Sequence, residues 1–344
     1  MKRHRNLLSV FAGALALAAI LAPTGSAAGA PSAGAAAGCT PVTNIEAIID
    51  DSGSMIATDP NRLRIQALDL LINALSSGTT LGAIEFGGNF FEGEGQPPAA
   101  DTVFNPEAVG PNAAAMKAAL DSKIKADNGG TDYNAAFNTA RAADPAAQAR
   151  IFLTDGGHDV GTYNNTHLNP APPQTPTYVI GFSAGVSGSE DQARLQKIAS
   201  DTGGRFFPLS DSSQLQPVMN EIESTLICQT PPQKFTDVLK AGASKVHTVP
   251  VGGGTKSLQI VLSWGSPLDK FTISGLKVTS HGRTLAKAAR HVKRLKVKTT
   301  TSETFTILQV SGLVRGKLSF KVKAATVGSG SPQVTLTTQV GKGH

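Results

Sequence analysis

One short apolar run that stops abruptly in oxygen-bearing side chains constrains the fold of this chain more than any other stretch. Residues 44–55 read N-I-E-A-I-I-D-D-S-G-S-M. Ile45, Ala47, Ile48 and Ile49 give the run the length and the β-branched content of a strand that is buried on both faces. Strands of this kind occur in parallel sheets that helices cover on both sides. The run therefore predicts an α/β protein.

Similar strands alternate with helical segments as far as residue 227. Within residues 62–75, Leu63, Ala67 and Leu70 recur at helical spacing and mark one apolar face. The other predicted helices cover residues 112–124, 132–143, 191–200 and 213–227. The predicted strands after the first lie at residues 81–86, 101–104 (a sheet edge), 151–154, 178–182 and 205–209. This alternation predicts βαβ units and a doubly wound, mainly parallel sheet.

Three oxygen donors follow the first strand directly. Asp50, Ser52 and Ser54 lie at the carboxyl end of that strand, where ligands bind in open α/β sheets. A carboxylate and two hydroxyls are hard donors of the kind that suits Mg²⁺. The same residue types also form ordinary turns and helix caps, so this motif by itself leaves both interpretations open.

Two later segments end in the same way and favour the metal interpretation. Residues 128–133 read N-G-G-T-D-Y and carry Thr131, and residues 151–156 read I-F-L-T-D-G and carry Asp155. Together with the first motif they resemble the metal-ion-dependent adhesion site of the von Willebrand factor type A family. In that family D-x-S-G-S, a Gly-Gly-Thr-Asp loop and a strand-end Asp share one cation, in this order along the chain. The resemblance covers residues 41–226.

The resemblance implies a ligand set and a function. Ser52, Ser54 and Thr131 would supply hydroxyls to Mg²⁺, Mn²⁺ or Ca²⁺. Asp50 and Asp155 would contact the ion directly or through water. A Glu or Asp carboxylate of a partner protein would complete the coordination. We therefore expect a binding protein without enzymatic activity, whose affinity for its partner depends on the cation.

Two other functions remain open on the sequence. In one, a hydrolase would use the same acids and Mg²⁺ to attack a phosphate or an ester. The sequence disfavours it, because the two serines lie in no Gly-x-Ser-x-Gly elbow and no general base is marked. In the other, the cation only stabilises the fold of a structural protein of the cell envelope.

Four polar residues near these segments are predicted to lie outside the ligand set. Asp51, Asp132 and Asp159 are interpreted as supporting, helix-start or solvated charges. His158 has no histidine or cysteine neighbour and is predicted to be polar surface. None of the four is expected to bind the cation.

The start of the chain predicts export. Basic residues precede an apolar segment at 7–21 and small residues at 26–28 suit cleavage, so residues 1–28 are interpreted as a secretory signal. Residues 29–40 are rich in Ala and Gly and are expected to be a spacer. The rest of the sequence holds no apolar run of roughly 20 residues that could span a bilayer. We expect a protein that is secreted or held in the cell envelope.

The only two cysteines, Cys39 and Cys228, bracket the predicted α/β domain at residues 41–228. In an oxidising compartment two thiols form a disulfide, and we expect the ends of a doubly wound domain to lie close enough for it. Such a bridge would stabilise the domain by about 5 kcal/mol in the chain-entropy model. Two free thiols, or a lipid anchor at Cys39, are the alternatives.

The composition changes after the second cysteine. Residues 229–244 are expected to be a linker, and residues 245–341 contain short alternating segments such as S-L-Q-I-V-L-S-W and L-S-F-K-V-K, set off by Gly, Ser and Pro. This pattern predicts a smaller, antiparallel β-sandwich domain of about 100 residues. It loosely resembles the β-sandwich modules that are appended to secreted bacterial proteins.

Charge is divided unevenly between the two parts. Residues 41–228 hold 10 Lys/Arg and 22 Asp/Glu, a net charge of −12, and residues 229–344 hold 18 and 3, a net charge of +15. The densest basic stretch consists of Lys287, Arg290, Lys293, Arg294, Lys296 and Lys298. It predicts attraction to an anionic polymer of the cell envelope, or else a solvated strand and loop. The stretch lacks aromatic residues for stacking, which disfavours nucleic acid.

Overall fold

The computed structural model describes residues 39–88, 99–126, 129–169, 174–182, 190–210, 212–229, 232–280, 283–285, 295–330 and 333–342. The predicted secretory signal and all but the last two residues of the predicted spacer lie outside the described residues. So do the first four residues of the basic stretch, between Lys287 and Arg294. None of the described helices is long and apolar enough to cross a membrane.

The first half of the chain builds a six-stranded sheet. Its strands are β1 (Asn44–Asp50), β2 (Thr80–Phe86), β3 (Ala100–Ala108), β4 (Ala149–Thr154), β5 (Thr177–Phe182) and β6 (Phe206–Leu209). They lie in the order β3-β2-β1-β4-β5-β6. All neighbours are parallel except the edge strand β3, which runs antiparallel to β2. The predicted mainly parallel sheet is confirmed, and so is the edge position of its third strand.

Helices cover both faces of this sheet. They are α1 (Met55–Thr58), α2 (Leu63–Ala74), α3 (Val109–Lys123), α4 (Tyr133–Ala143), α5 (Glu190–Asp201) and α6 (Leu215–Leu226). In β1, Ile45 and Ile49 face a core closed by α2, α3 and α6. Ile48 faces a second core closed by α4 and α5. This double burial explains why the sequence of β1 is a continuous apolar run. Helix α3 begins three residues earlier than predicted, because Pro111 in its first turn costs no backbone hydrogen bond.

The second half of the chain folds into two antiparallel sheets that share one core. The five-stranded sheet, in the order β12-β13-β9-β15-β7, consists of β7 (Gln233–Val238), β9 (Thr255–Trp264), β12 (Lys296–Thr301), β13 (Phe305–Ser311) and β15 (Gln333–Lys342). The four-stranded sheet, in the order β11-β10-β14-β8, consists of β8 (Ser244–Val251), β10 (Lys270–Ser280), β11 (Arg283–Leu285) and β14 (Gly316–Thr326). Leu258, Val310 and Phe320 lie in the core between them. The predicted antiparallel β-sandwich is confirmed.

One strand lies where the sequence predicts other structure, and another contains the end of the basic stretch. Strand β7 falls inside the segment 229–244 that is expected to be a linker, and it pairs with β15. It is an edge strand with mostly exposed side chains, so its sequence lacks the apolar alternation that marks a strand. Strand β12 contains Lys296 and Lys298, the last two residues of the basic stretch, and pairs with β13.

The outer face of the five-stranded sheet is covered by helices α2 and α6. Leu70 of α2 packs against Val261, Phe305 and Ile307 of the sheet at the centre of this contact. A helix whose side chains are buried all round is enclosed by other structure, and α2 is of this kind. The five-stranded sheet therefore packs on the sandwich core with one face and on these helices with the other.

Polar side chains make the contact between α6 and the sheet. The amide of Asn220 donates to Thr337 at 2.7 Å, and Gln339 donates to Ser224 at 2.8 Å. Glu223 lies between these two positions on α6 and has only 2% of its surface exposed. It hydrogen bonds with Gln339, but burial is the larger effect and raises the pKa of its carboxyl group to about 8. We refer to these polar contacts as the polar seam.

Glu223 is expected to make the stability of the protein depend on pH. The folded state keeps a proton that the unfolded chain loses, so the free energy of unfolding falls as the pH rises from about 4.5 to about 8. The variant Glu223→Gln lacks this carboxyl group. Between these pH values we expect its free energy of unfolding to fall by up to about 4 kcal/mol less than that of the wild type, measured by urea unfolding. Glu221→Gln is the control, because Glu221 lies on the same helix in an ion pair with Arg205. Parallel pH profiles for the wild type and Glu223→Gln would contradict this assignment.

A disulfide joins the two ends of the α/β half. Cys39 and Cys228 are bonded, with their Cα atoms 5.8 Å apart. Close by, the backbone N–H of Val42 donates to the carbonyl of Leu226 at 2.8 Å. The segment before β1 and the end of α6 are therefore tied together both covalently and by backbone hydrogen bonding.

The bridge is tested by counting thiols. We expect no free thiol after denaturation without reductant, since the chain has no other cysteine. Cys39→Ser and Cys228→Ser should each lower the free energy of unfolding by about 5 kcal/mol at most, because each releases the same long loop in the unfolded state. Two free thiols in the denatured wild type would rule the bridge out.

Candidate metal centre

The site begins where the two central strands of the sheet end. Asp50 is the last residue of β1, and Asp155 follows β4, which lies beside β1 in parallel. One carboxylate oxygen of Asp50 accepts a hydrogen bond from the backbone N–H of Ser52 at 2.9 Å. The other accepts from the hydroxyl of Thr154 at 2.6 Å. Asp50 is therefore buried and held in one orientation by groups from both strands.

The loop of residues 51–54, which we call the serine loop, reaches across to Asp155. The hydroxyl of Ser54 donates to Asp155 at 2.8 Å and lies 3.1 Å from the hydroxyl of Ser52. The second carboxylate oxygen of Asp155 accepts a hydrogen bond from Thr58, at the end of α1. Ser54 is exposed, whereas Ser52 and Asp155 are buried. The cluster thus opens to solvent on the Ser54 side.

The loop that carries Thr131 lies against the same cluster. The backbone N–H of Gly53, inside the serine loop, donates to the carbonyl of Gly129 at 3.2 Å. Thr131 is buried, and its backbone N–H donates to the carboxylate of Asp159 at 2.6 Å. The three predicted segments therefore meet at the carboxyl ends of the central strands. Asn128, which begins the second motif, lies outside the described residues.

The electrostatics of the site favour a bound cation. Burial, and then the negative charge of Asp155, raise the pKa of Asp50 to about 7. Burial is also the largest cause of the raised pKa of Asp155. A positive charge between the two carboxylates would favour the ionised form of both.

The donor set indicates which cation fits. Asp50, Ser52, Ser54 and Asp155 offer only oxygen atoms, which are the ligands of Mg²⁺, Mn²⁺ and Ca²⁺. Across the described part of the chain, no group of three or more His, Cys, Asp or Glu side chains is arranged to hold a metal ion. These residues fit a hard divalent cation.

Gly87, directly after β2, lets the serine loop approach the sheet. Its φ is +136°, and a Cβ atom at this position would lie 2.2 Å from the backbone nitrogen of Ser52. Backbone atoms cannot move away as a flexible side chain could. Any other residue at position 87 would therefore displace the loop that carries the two serines.

A buried ion cluster below the serine loop was missed by sequence reasoning. Asp51 accepts from the guanidinium of Arg64 at 2.6 Å and from the backbone N–H groups of Lys125 and Ala126 at 2.6 and 2.7 Å. Asp59 accepts from the same guanidinium at 3.1 Å and from the N–H of Leu63 at 2.7 Å. Asp51 therefore acts as the predicted supporting charge. Arg64 carries no sequence signal, because α2 also contains Gln66 and Asp69 and the sequence does not show that Arg64 is the buried one.

The two acids near the Thr131 loop have separate roles. Asp132 caps helix α4, since its carboxylate accepts from the backbone N–H groups of Asn134 and Ala135 at 2.8 and 3.1 Å. This agrees with its predicted helix-start role. Asp159 is exposed but holds the Thr131 loop through the hydrogen bond described above.

The prediction that His158 is polar surface is wrong. Its side chain is only 2% exposed, and its Nδ1 accepts from the backbone N–H of Tyr133 at 3.1 Å. The ring packs between Tyr133 and Tyr163. Tyr133 also donates its hydroxyl to the carbonyl of Gly156 at 2.5 Å, next to Asp155. His158 is buried because this aromatic cluster covers it, which the local sequence does not reveal.

The fold and the site together define an α/β domain with an oxygen-lined cation site at the end of its sheet. The sequence model of the von Willebrand factor type A domain matches residues 44–221, just over half of the chain. The match spans all five predicted ligands. The chain therefore belongs to the von Willebrand factor type A domain family.

Several solved structures resemble the chain at low sequence identity. A von Willebrand factor type A protein from Catenulispora acidiphila has 16% identity and a TM-score of 0.41, covering 88% of this chain and 65% of that one. Proximal thread matrix protein 1 from the mussel byssus, in a structure described as having a zinc-occupied MIDAS motif, has 16% identity and a TM-score of 0.42, covering 59% of this chain and 51% of that one. The chain thus spans just under two thirds of the first protein and about half of the second. No curated protein sequence matches the chain.

The ion cluster below the serine loop generates a stability prediction. We expect Arg64→Met to lower the free energy of unfolding by about 3–5 kcal/mol, because it leaves Asp51 and Asp59 buried without a counter-charge. Lys123→Met is the control. It removes an exposed ion pair with Asp101 and should change the value by about 1 kcal/mol or less. Chemical denaturation at neutral pH measures both, and equal effects would contradict the structural role of Arg64.

Proposed function

We propose that this protein uses a divalent cation at the end of its parallel sheet to capture an acidic group on another protein. The observation that supports the proposal is the hydrogen-bonded cluster of Asp50, Ser52, Ser54 and Asp155, with Ser54 at the solvent side. The cation is Mg²⁺, or Mn²⁺ or Ca²⁺, and Thr131 is the fifth ligand.

The chemistry of the ligand set explains how such a site would bind a partner. Ser52, Ser54 and Thr131 are neutral donors, so only Asp50 and Asp155 bring negative charge to the ion. The Asp155 carboxylate already accepts hydrogen bonds from Ser54 and Thr58, which hold it in place beside the serine loop. When bound, the cation would act as a Lewis acid. A carboxylate of the partner would then complete its coordination. Removal of the cation then removes the group that contacts the partner.

Binding accounts for the site better than hydrolysis does. The Ser52 hydroxyl lies 3.1 Å from Ser54, and Ser54 donates to Asp155, whose other oxygen is engaged by Thr58. The general base among these residues would be Asp155, and a cation bound beside this carboxylate would disfavour its protonation. We therefore propose an adhesive role and no catalytic one.

We also propose that the protein acts outside the cytoplasm, either secreted or held in the cell envelope. The disulfide between Cys39 and Cys228 supports this, because such bonds persist in oxidising compartments. The domain boundaries proposed from the sequence, 41–228 and 245–341, are retained, with β7 as an additional strand of the second domain. An anionic polymer of the cell envelope remains a proposed partner of this basic second domain.

Calorimetric titration of the full chain tests the cation site. We expect Mg²⁺ and Mn²⁺ to bind, and we expect binding to disappear in the double variant Ser52→Ala, Ser54→Ala, which loses two ligands. The control is Ser122→Ala, Ser200→Ala, because these two hydroxyls only donate to backbone carbonyls of their own helices. Unchanged cation affinity in the first double variant would show that the two serines are only turn residues.

Access of a carboxylate to the cation is tested separately. With Mn²⁺ bound, we expect faster relaxation of the methyl protons of added acetate than of acetamide, and no difference after EDTA. Turnover of phosphate or ester substrates that requires the metal and is abolished by Asp50→Ala would favour the hydrolase instead. If EDTA lowers the melting temperature but acetate and acetamide relax alike with Mn²⁺ bound, the cation is structural.

A further inference from the structure

A groove lies between the α/β half and the β-sandwich, at the end of the polar seam. It has a volume of about 490 Å³. Glu223 of α6, Ile227 directly after this helix and Ala74 of α2 form one wall. Strands β12, β13, β9 and β15 of the five-stranded sheet form the other. A volume of this size is typical of small-molecule sites, which span about 300–1,000 Å³.

Four polar side chains cross the sheet in one row along this groove. Lys298 pairs with Gln309, Gln309 pairs with Gln259, and Gln259 pairs with Gln339 on four neighbouring strands. Paired residues on neighbouring strands point to the same face of a sheet. Gln339 contacts Ser224 of α6, so the whole row faces the groove.

Two buried atoms along the groove lack hydrogen-bond partners among the described residues. They are Oε2 of Glu223 and Nε2 of Gln259. Glu223 is only 2% exposed, and both residues line the groove. Buried polar atoms are nearly always hydrogen bonded in folded proteins. Their placement in one groove therefore indicates that a polar ligand supplies the missing partners.

The charges at the groove indicate the kind of ligand. Lys296 and Lys298 lie two residues apart on the edge strand β12, and both line the groove. Among the described residues that line the groove, Glu223 is the only acidic one, and burial favours its neutral form. The groove thus offers two ammonium groups at its rim and amide, hydroxyl and carboxylic acid groups inside. This combination suits a ligand with many hydroxyl groups and a negative charge.

We propose that this groove binds an acidic saccharide, with the anionic group at Lys296 and Lys298 and the sugar hydroxyls at Gln259 and Glu223. The site is separate from the candidate metal centre and uses none of its residues. The neutral hydroxyls of a sugar can donate to Oε2 of Glu223 and accept from Nε2 of Gln259. Binding is therefore expected to be unaffected by EDTA, whatever the fate of the proposed adhesive function.

Isothermal titration of the full chain with three sugars tests the proposal. Cellobiouronate carries a carboxylate, glucose 1-phosphate carries a phosphate, and cellobiose is neutral. We expect saturable binding of at least one acidic sugar, with a preference of about tenfold or more over cellobiose. The stronger of the two acidic sugars then identifies the anionic group.

Variants assign the binding to the groove. We expect Gln259→Ala to weaken binding of the acidic sugar by about tenfold and Lys298→Gln to reduce the preference over cellobiose by about three- to tenfold. Lys321→Gln is the matched control, because Lys321 is exposed on β14 in the other sheet and should leave binding unchanged. Unchanged melting temperatures would show that the variants fold.

Three results would overturn the proposal. The first is the absence of saturable binding of both acidic sugars at millimolar concentration. The second is equal binding of cellobiose and the acidic sugars, which would show that the lysines take no part. The third is equal binding of sodium acetate and cellobiouronate, which would show that the lysines attract any anion.

Discussion

Strands β1 and β4 pair in parallel at the centre of the six-stranded sheet, and this pairing decides where the acids of the candidate site meet. Ile49 lies opposite Leu153, so both strands end at one level and Asp50 and Asp155 leave the sheet side by side. Both carboxylates are buried, and burial raises the pKa of each. Two buried acids so close together are costly to keep ionised without a counter-charge. The hydroxyls of the serine loop and of Thr154 offset part of that cost, and a divalent cation would offset the rest.

Arg64 and Tyr133 hold the loops around these acids from opposite faces of the sheet. Arg64 neutralises Asp51 in the interior, and the same Asp51 carboxylate accepts hydrogen bonds from the segment that follows α3. On the α4 side of the sheet, the Tyr133 hydroxyl donates a hydrogen bond to the carbonyl of Gly156. A metal ligand needs support of this kind, because an unrestrained side chain would lose conformational entropy on binding the ion. These buried groups therefore explain why the candidate ligands are held in fixed orientations.

The contact between the two halves of the molecule combines an apolar centre with a polar seam. Leu70 packs on Phe305 and its neighbours, whereas Asn220 hydrogen bonds with the sheet through its side chain. Hydrogen bonds of this kind contribute less to stability than apolar burial does, but they select one arrangement of the helix on the sheet. The seam borders the groove at Glu223 and Gln339, which belong to both. The second domain thus creates a polar groove that neither half would possess alone.

From the amino-acid pattern alone we could predict the α/β alternation, the mainly parallel sheet, the β-sandwich and the three oxygen-bearing segments of the site. The elements of the fold follow from residue period and composition, which are local properties of the chain, and the site follows from the resemblance of its three segments to a family motif. The folded chain was needed to show that the His158 side chain is buried and that Gln216 and Asn220 of α6 face a second sheet instead of solvent. Gln216 bonds with Thr304, 88 residues away, and such a contact leaves no periodic signal in the sequence around either residue. Burial of a polar side chain depends on what packs over it, and that is set by the folding of distant segments.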